Sequence, residues 1–176
     1  QSLWQVMPLG PTGYGDSPYQ CFSAFAGNPL LIGLDALVRE GALAAEDLAG
    51  APEFPGGKVD FGPVINFKKA MLRKSYDRFA AGASAEQRRD FAGFCAEYAS
   101  WLDDYAVFIA IKDHHNGNVW NTWAPDIARH EAAAVQAWRE RLADAVEAQQ
   151  YYQYQFFRQW AALRAYANEH GVRIIG

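Results

Sequence analysis

A loop rich in glycine and polar residues holds the groups best suited to chemistry in this sequence. It reads GPTGYGDSPYQ over residues 10–20 and directly follows a short apolar segment that is predicted to be a buried strand. Parallel sheets and barrels bind ligands at the carboxyl ends of their strands, where this loop would lie. Carboxylate, hydroxyl and amide groups there can hydrogen-bond a hydroxyl-rich ligand, and tyrosine rings offer flat faces. These residues are Tyr14, Asp16, Ser17, Tyr19 and Gln20. An ordered turn packed by its own tyrosines is the structural alternative.

The other residue types capable of chemistry favour structural interpretations. The phosphate-loop spacings GxGxxG and GxxxxGK[ST] are absent. His114 and His115 are adjacent on a predicted helix, so they point in different directions, and no second cluster has zinc spacing. We interpret them as a polar helix end. Cys21 and Cys95 form no CxxC and lie far apart, which predicts free, inert thiols in a reducing cytoplasm. We therefore expect neither a metal nor a cofactor.

Two groups of aromatic residues lie in the second half of the chain. Trp120 and Trp123 form a WxxW segment that is either a carbohydrate platform or, as we favour, a hydrophobic lid over neighbouring helices. A later stripe of aromatic residues covers more than one face of a helix, which predicts packing in a core. Its members are Tyr151, Tyr152, Tyr154, Phe156, Phe157 and Trp160.

Composition limits the class of protein. The chain has 176 residues, of which 51% are hydrophobic and 15% aromatic, so it is globular rather than disordered. Its net charge of -4 lacks the basic excess expected of a nucleic-acid-binding protein. No apolar run approaches the length of about 20 residues that spans a membrane. The sequence starts and stops within apolar runs and has no initiator Met or signal segment, so we expect an internal piece of a longer protein.

The first half of the chain is predicted to begin with a strand at residues 3–9, before the loop. Asp35 is the expected N-cap of a short helix that Gly41 stops, and another helical turn is expected at residues 44–48. A loop rich in proline and glycine covers residues 49–63, and a helical pattern begins at Val64. Ser84 and Gln87 have the spacing of a capping box that begins the next helix.

The second half is predicted to be helical up to a final strand. The apolar segment YAVFIAIKDHH suits either a strand or a buried helix, and we favour a helix that begins at the acidic pair Asp103 and Asp104. A long helical pattern runs over residues 125–170, with a break near Gln149 and Gln150. Gly171 caps its end, and residues 172–175 form a β-branched strand. Two strands joined through a mostly helical region predict a β/α crossover with a helical insertion.

The segment WQVMPLGPTGYGDSPYQCFSAFAGNPLLI, residues 4–32, closely resembles the 4-alpha-glucanotransferases. These enzymes are also called amylomaltases or disproportionating enzymes and form glycoside hydrolase family 77. Three later segments agree with the same family: KVDFG at 58–62, FCAEYASWLDDYAVFIAIK at 94–112, and QFFRQWAALRAYANEHGVRIIG at 155–176.

The resemblance implies an α/β fold, namely part of a (β/α)8 barrel that includes about strands two and three. It divides the chain into a barrel strand with an active-site loop (1–34), a mostly helical inserted subdomain (35–150), and a barrel helix with its following strand (151–176).

The family's reaction is a retaining transglycosylation. An aspartate nucleophile forms a glucosyl-enzyme intermediate, a glutamate acts as acid and base, and a second aspartate holds sugar hydroxyls. The 4-hydroxyl of an acceptor sugar, rather than water, then attacks the intermediate. The resemblance places all three carboxylates after Gly176, so Asp16, Asp60, Asp103 and Asp104 are not assigned their roles.

The resemblance carries over sugar-binding residues instead. Tyr19 in the DSPY segment matches a family tyrosine that lines the active site near the cleaved bond, with Asp16, Ser17 and Pro18 beside it. Tyr14 matches a tyrosine at a separate glucan-binding groove of bacterial members.

The match to that second groove is incomplete. The family pattern has an aromatic partner a few residues after the VDFG segment, and Ile65 holds that place here. Cys21 replaces the usual serine of the first segment, a change with no predicted role.

We therefore expect a segment of a cytoplasmic enzyme that transfers α-1,4-glucan units between maltodextrins. Its expected partners are maltooligosaccharides and the remainder of the barrel, and the segment alone should be inactive. The alternative is a non-catalytic module that binds α-glucan or packs its helices against a partner.

Overall fold

The structure is a computed structural model that describes residues 2–176. It is mostly helical, as the sequence predicts between its strands. The strands are β1 (Leu3–Gln5) and β2 (Arg173–Ile175), and the helices are α1 (Leu34–Arg39), α2 (Phe61–Gly82), α3 (Ala85–His114), α4 (Pro125–Ala128), α5 (Ala132–Arg141) and α6 (Ala143–Glu169). None of the helices described over residues 2–176 has the length and apolar character to cross a membrane.

The two strands lie side by side and run parallel, as a crossover requires. Trp4 pairs with Ile174, and the backbone N–H of Val6 donates to the carbonyl of Ile175 at 2.8 Å. β1 is shorter than the predicted strand over residues 3–9. Pro8, which has no backbone N–H to donate, lies in the segment beyond it.

The chain forms two compact units. One comprises the residues up to Arg89 together with Tyr152–Gly176, and the other comprises Asp90–Tyr151. The division into residues 1–34, 35–150 and 151–176 that the family resemblance implies stays a prediction.

Each unit has its own buried side chains. In the first unit, they come from the loop before α1, from α1 itself, from α2 and from α6. The largest include Ile32, Leu37, Leu72, Tyr76 and Phe156. In the second unit, α3 packs with α4 and α6 around a cluster formed by Ala106, Val107, Ala110, Ile111, Trp123, Ile127 and Val146.

Two helix beginnings differ from the sequence prediction. Gly33, rather than Asp35, is the N-cap of α1, and the carboxylate of Asp35 lies in the first turn, where a negative charge suits the helix dipole. α2 begins at Phe61 instead of Val64, because the side chain of Asp60 accepts a hydrogen bond from the N–H of Gly62. Pro63 fits the first turn, since the N–H that proline lacks is unpaired there.

The capping box at the start of α3 is confirmed. The N–H of Gln87 donates to the hydroxyl of Ser84 at 3.1 Å, and the N–H of Ser84 donates to the side-chain oxygen of Gln87 at 2.8 Å. The prediction that the apolar segment after Asp104 is a helix rather than a strand is confirmed. The prediction that this helix begins at Asp103 and Asp104 is wrong. α3 passes through both residues without interruption, because Leu102 on one side and Ala106 on the other are fully buried.

The helical pattern over residues 125–170, which is predicted to break near Gln149 and Gln150, forms three helices. The chain leaves the helical path at residues 129–131, where His130 has a positive φ of 56°, and again at Leu142. The expected break near Gln149 and Gln150 is wrong, because α6 runs through both and Gln150 donates to Asp103 at 2.9 Å. The glycine cap is confirmed, since Gly171 follows α6 with a φ of 72°.

Candidate functional site

The predicted site loop is closed at its base by the backbone. The N–H of Asn28 donates to the carbonyl of Leu9 at 2.7 Å, so the two ends of the segment 9–28 meet. The side chain of Asn28 also accepts from the N–H of Leu30 and so caps the short 3-10 turn that leads towards α1. The loop therefore leaves β1 and returns to nearly the same point.

A narrow neck joins the base of the loop to its tip. Thr12 and Cys21 form an antiparallel bridge, and the N–H of Gly13 donates to the carbonyl of Gln20 at 2.7 Å. A Cβ on Gly10 would lie 2.7 Å from the Sγ of Cys21, and one on Gly13 would lie 2.9 Å from the carbonyl oxygen of Gln20. The two halves of the neck can approach this closely because both positions are glycine.

The tip, residues 14–19, contains the five residues that the family resemblance assigns to sugar binding: Tyr14, Asp16, Ser17, Pro18 and Tyr19. A 3-10 turn spans Tyr14–Asp16, and Asp16 has a φ of 54°, a left-handed conformation that Asp tolerates better than most residues. The hydroxyl of Ser17 accepts a hydrogen bond from the N–H of Tyr19 at 3.3 Å. Cys21 donates through its Sγ to the carbonyl of Pro18 at 3.2 Å. The tip is thus a folded turn held by its own polar groups.

The two tyrosine rings of the tip are available to a ligand. Tyr14 is 91% exposed and Tyr19 is 76% exposed. An exposed aromatic ring next to carboxylate and hydroxyl groups can stack on the apolar face of a sugar ring while its neighbours hydrogen-bond the sugar hydroxyls. This arrangement fits binding and orientation, and it contains no paired carboxylates for acid and base chemistry.

The carboxylates that the sequence left without a catalytic role include two with structural partners. Asp60 caps α2. Asp103 accepts from the side chain of Gln150 at 2.9 Å and lies 3.4 Å from Arg139. These contacts are those of helix-capping and helix-pairing side chains.

The histidine pair packs among aromatic rings in the second unit. The ring of His115 stacks on Trp123 at 5.5 Å between centroids, and the ring of His114 meets Trp138 edge-on at 5.1 Å. Over residues 2–176, no group of three or more His, Cys, Asp or Glu side chains is placed to hold a metal ion.

The two tryptophans of the WxxW segment differ in burial. Trp123 is buried in the cluster of the second unit, which confirms the packing interpretation for that residue. Trp120 remains 55% exposed. It borders a cavity of about 320 Å³ whose lining is mainly apolar and includes Phe108 and Val135, with Asp104 among its polar residues.

Ile65 holds the place where the family resemblance expects an aromatic partner for Tyr14. Ile65 lies half-buried on α2 and has no ring for a sugar to stack on. The nearby Phe67 packs against Phe54, with 6.2 Å between ring centroids.

One residue that supports the site was missed by the sequence analysis. Gln153 lies within the aromatic stripe of α6, where we expected only core packing, and its side chain hydrogen-bonds the backbone of Gly27 near the base of the loop. A polar side chain amid buried aromatic residues must find a partner, which is a signal that the sequence contained. The identity of that partner was not readable from sequence.

Comparison with known proteins identifies the family. A family model described as 4-alpha-glucanotransferase matches residues 1–176. A 4-alpha-glucanotransferase from Thermus thermophilus is 47% identical over 173 residues, covering 98% of this chain and 34% of that protein. One from Synechocystis is 44% identical over 176 residues, covering 100% and 35%.

A solved structure agrees with these relatives. The amylomaltase from Streptococcus agalactiae in complex with acarbose is 35% identical and superimposes with a TM-score of 0.92, covering 100% of this chain and 35% of that one. The chain thus spans about a third of the length of the relatives that it matches. It belongs to the 4-alpha-glucanotransferase family, as the resemblance of residues 4–32 predicts.

Proposed function

We propose that this chain is the glucan-contacting part of a 4-alpha-glucanotransferase that transfers α-1,4-glucan units between maltodextrins. The observation that carries the proposal is the loop tip, where two exposed tyrosines stand on a hydrogen-bonded turn in a member of this family. The contacting residues are Tyr14, Asp16, Ser17, Pro18 and Tyr19.

The proposal assigns separate tasks within the tip. Tyr19 stacks on a sugar ring next to the bond that is cleaved. The carboxylate of Asp16 accepts hydrogen bonds from the sugar hydroxyls, and the hydroxyl of Ser17 can donate to them or accept from them. Tyr14, the most exposed ring of the tip, contacts glucan at the separate groove that the family resemblance implies. The similar amylomaltase with acarbose supports an α-glucan-like ligand for this chain.

The proposed chemistry is a retaining double displacement. Such a mechanism needs two carboxyl groups about 5–5.5 Å apart, one as nucleophile and one as acid and base. Following the family resemblance, we place these groups after Gly176, in the rest of the barrel. The structural partners of Asp60 and Asp103 are consistent with this placement. The chain then binds and orients the glucan while the remaining strands supply the reacting groups.

The rest of the barrel is the proposed protein partner. β1 and β2 pair only with each other in the part of the chain that the structure describes, so each strand has an unpaired edge. Leu3, Trp4 and Met7 are exposed alongside them. Further parallel strands would pair with these edges and cover the apolar side chains.

The test uses the full-length protein that contains this chain. With maltotriose as substrate, glucose release should fall at least about tenfold in kcat/KM for Tyr19→Ala, which equals about 1.4 kcal/mol. Tyr166→Ala is the matched control, since Tyr166 is an exposed tyrosine on α6 outside the loop, and its activity should stay within about twofold of wild type. Equal activity of Tyr19→Ala and Tyr166→Ala would contradict the assignment of the loop. Turnover by the purified chain of 176 residues would contradict the placement of the carboxylates.

The exposure of Trp120 at a cavity favours a second candidate, a module that binds α-glucan without catalysis. Titration of the purified chain with maltoheptaose, followed by tryptophan fluorescence, tests it. A saturable change that Trp120→Ala abolishes and Tyr19→Ala leaves intact would favour this module over the loop.

A further inference from the structure

Two glutamines of α6 each bind both backbone polar groups, the N–H and the C=O, of one glycine residue. Gln153 accepts from the N–H of Gly27 at 2.8 Å and donates to its carbonyl at 2.9 Å. Gln159 accepts from the N–H of Gly33 at 2.7 Å and donates to its carbonyl at 3.2 Å. Each side-chain amide thus pairs with the backbone as a neighbouring β-strand would.

The two contacts differ in their surroundings. Gln153 is 0% exposed and Gly27 is buried, whereas the contact between Gln159 and Gly33 is exposed to solvent. Loss of a buried partner leaves a donor and an acceptor without water, while the exposed groups can turn to solvent. Loss of the Gln153 contact should therefore cost more free energy than loss of the Gln159 contact.

Gly27 is also confined by an aromatic ring. A Cβ at this position would lie 2.0 Å from the ring of Phe156, three residues after Gln153 on α6. No side chain fits between that ring and the backbone, so the ring packs directly on Gly27 while Gln153 holds its polar groups. One helix thus fixes both the position and the orientation of the backbone at Gly27.

Gly27, the residue fixed in this way, lies at the base of the site loop. Gly27 precedes Asn28, whose N–H closes the loop on the carbonyl of Leu9. On its other side, the N–H of Ala26 donates to the hydroxyl of Ser23 at 3.1 Å, which continues the ordered backbone towards the neck. A shift of Gly27 would therefore move the base from which the tip projects.

We propose that Gln153 is a positioning residue that holds the base of the loop so that Tyr19 and Tyr14 are pre-organised for a glucan chain. The inference rests on the proposed function, because it gives the loop tip a glucan to bind. A loop that is already ordered loses less conformational entropy when a glucan binds. Loss of this order should therefore raise KM, while the reacting groups stay intact.

The first experiment compares Gln153→Met with Gln159→Met in the full-length protein. Methionine keeps the length of the side chain and removes its hydrogen bonds. We expect Gln153→Met to raise KM for maltotriose at least about fivefold at a temperature well below its melting point, with kcat changed less than about twofold. Gln159→Met should leave both constants near wild type. Equal KM values for the two variants would overturn the proposal.

The second variant, Gln153→Glu, keeps the length and nearly the shape of the side chain and can form both hydrogen bonds when it is protonated. An ionised carboxylate accepts from the N–H of Gly27 but cannot donate to its carbonyl, whereas a protonated carboxyl group can do both. The KM defect of Gln153→Glu should therefore shrink as the pH falls, relative to wild type at each pH. A defect that is constant with pH would show that lost packing, rather than the hydrogen bonds, is responsible, and would overturn the proposal.

A backbone measurement separates this proposal from the proposed function. Hydrogen exchange at Gly13 and Phe22, whose amides bond across the neck far along the chain from Gln153, should accelerate at least about tenfold in Gln153→Met and stay unchanged in Gln159→Met. If Tyr19→Ala leaves KM unchanged, the proposed function fails, and the exchange rates still decide whether Gln153 holds the loop. Unchanged exchange in Gln153→Met would overturn the positioning role even if Tyr19 binds glucan.

Discussion

Replacement of Gly171 by alanine should destabilise the protein by about 1 kcal/mol. Gly171 follows α6 with a φ of 72°, its N–H donates to the carbonyl of Asn168 at 3.0 Å, and the N–H of Val172 donates to Ala167 at 2.8 Å. These two hydrogen bonds form a Schellman motif, which ends the helix and turns the chain into β2. The conformation of Gly171 therefore sets the path of the strand.

The magnitude follows from two opposing effects. A residue with a Cβ loses about 1–2 kcal/mol in the left-handed region. Alanine also restricts the unfolded chain more than glycine does, which returns about 0.4–1 kcal/mol. No atom lies within 4 Å of a Cβ built on Gly171, so no clash is added, and the net loss is about 1 kcal/mol. For a chain of this size, that corresponds to a fall in Tm of about 2–4 °C.

Urea unfolding followed by helical circular dichroism measures this loss. Gly82→Ala is the matched control, because Gly82 ends α2 in the same compact unit with no atom within 4 Å of a built Cβ. It should stabilise by about 0.5 kcal/mol, since alanine favours the helix. Gly171→Asn should fall between wild type and Gly171→Ala, because Asn tolerates the left-handed region. Equal shifts for alanine at positions 171 and 82 would refute the reasoning from φ.

Three further predictions concern buried or paired groups. The hydrogen bond from Lys74 holds the pKa of Asp47 below its ordinary value. The pairing therefore stabilises the folded protein fully at a pH above the ordinary pKa of Asp, and this stabilisation is lost as the pH falls through the lower pKa of the folded state. Between about pH 5 and pH 3, wild type should therefore lose more Tm than Asp47→Asn, and parallel losses would contradict this. Burial raises the pKa of Cys95 to about 11, so iodoacetamide should modify this thiol far more slowly in the native protein than after denaturation. Mass spectrometry measures the two rates, and equal rates would contradict the prediction. Leu102→Ala should cost about 2–5 kcal/mol in urea unfolding, because the side chain is fully buried, and a loss below about 1 kcal/mol would contradict close packing there.

The sequence predicted the parts of the fold that depend on neighbouring residues. The Ser84 and Gln87 capping box and the Gly171 cap each involve residues within a few positions, so local chemistry determines them. The errors occurred where tertiary contacts outweigh local signals. Asp103 looks like a helix beginning, but it lies inside α3 and meets Gln150, a residue 47 positions later.

The same distinction applies to the candidate site. Tyr14 and Tyr19 lie in one short loop, so their residue types and spacing were enough to bring them together as candidates. Gln153 is 126 positions from Gly27, and an isolated polar residue in an aromatic stripe does not reveal its partner. The contact was therefore visible only in the structure.

These two levels explain how a loop without regular secondary structure can present a defined surface. Hydrogen bonds between near neighbours, such as those of Gly13 and Ser17, define the shape of the tip but leave its position relative to the helices unset. The long-range contact of Gln153 with Gly27 supplies that position, because it joins the loop base to a helix of 27 residues. Residues at the tip are exposed and can differ in chemistry at little cost to folding, whereas a change at the buried base leaves polar groups unpaired. In the proposed function, ligand preference and loop placement therefore depend on separate residues, and α6 connects the loop base to the core of the first unit.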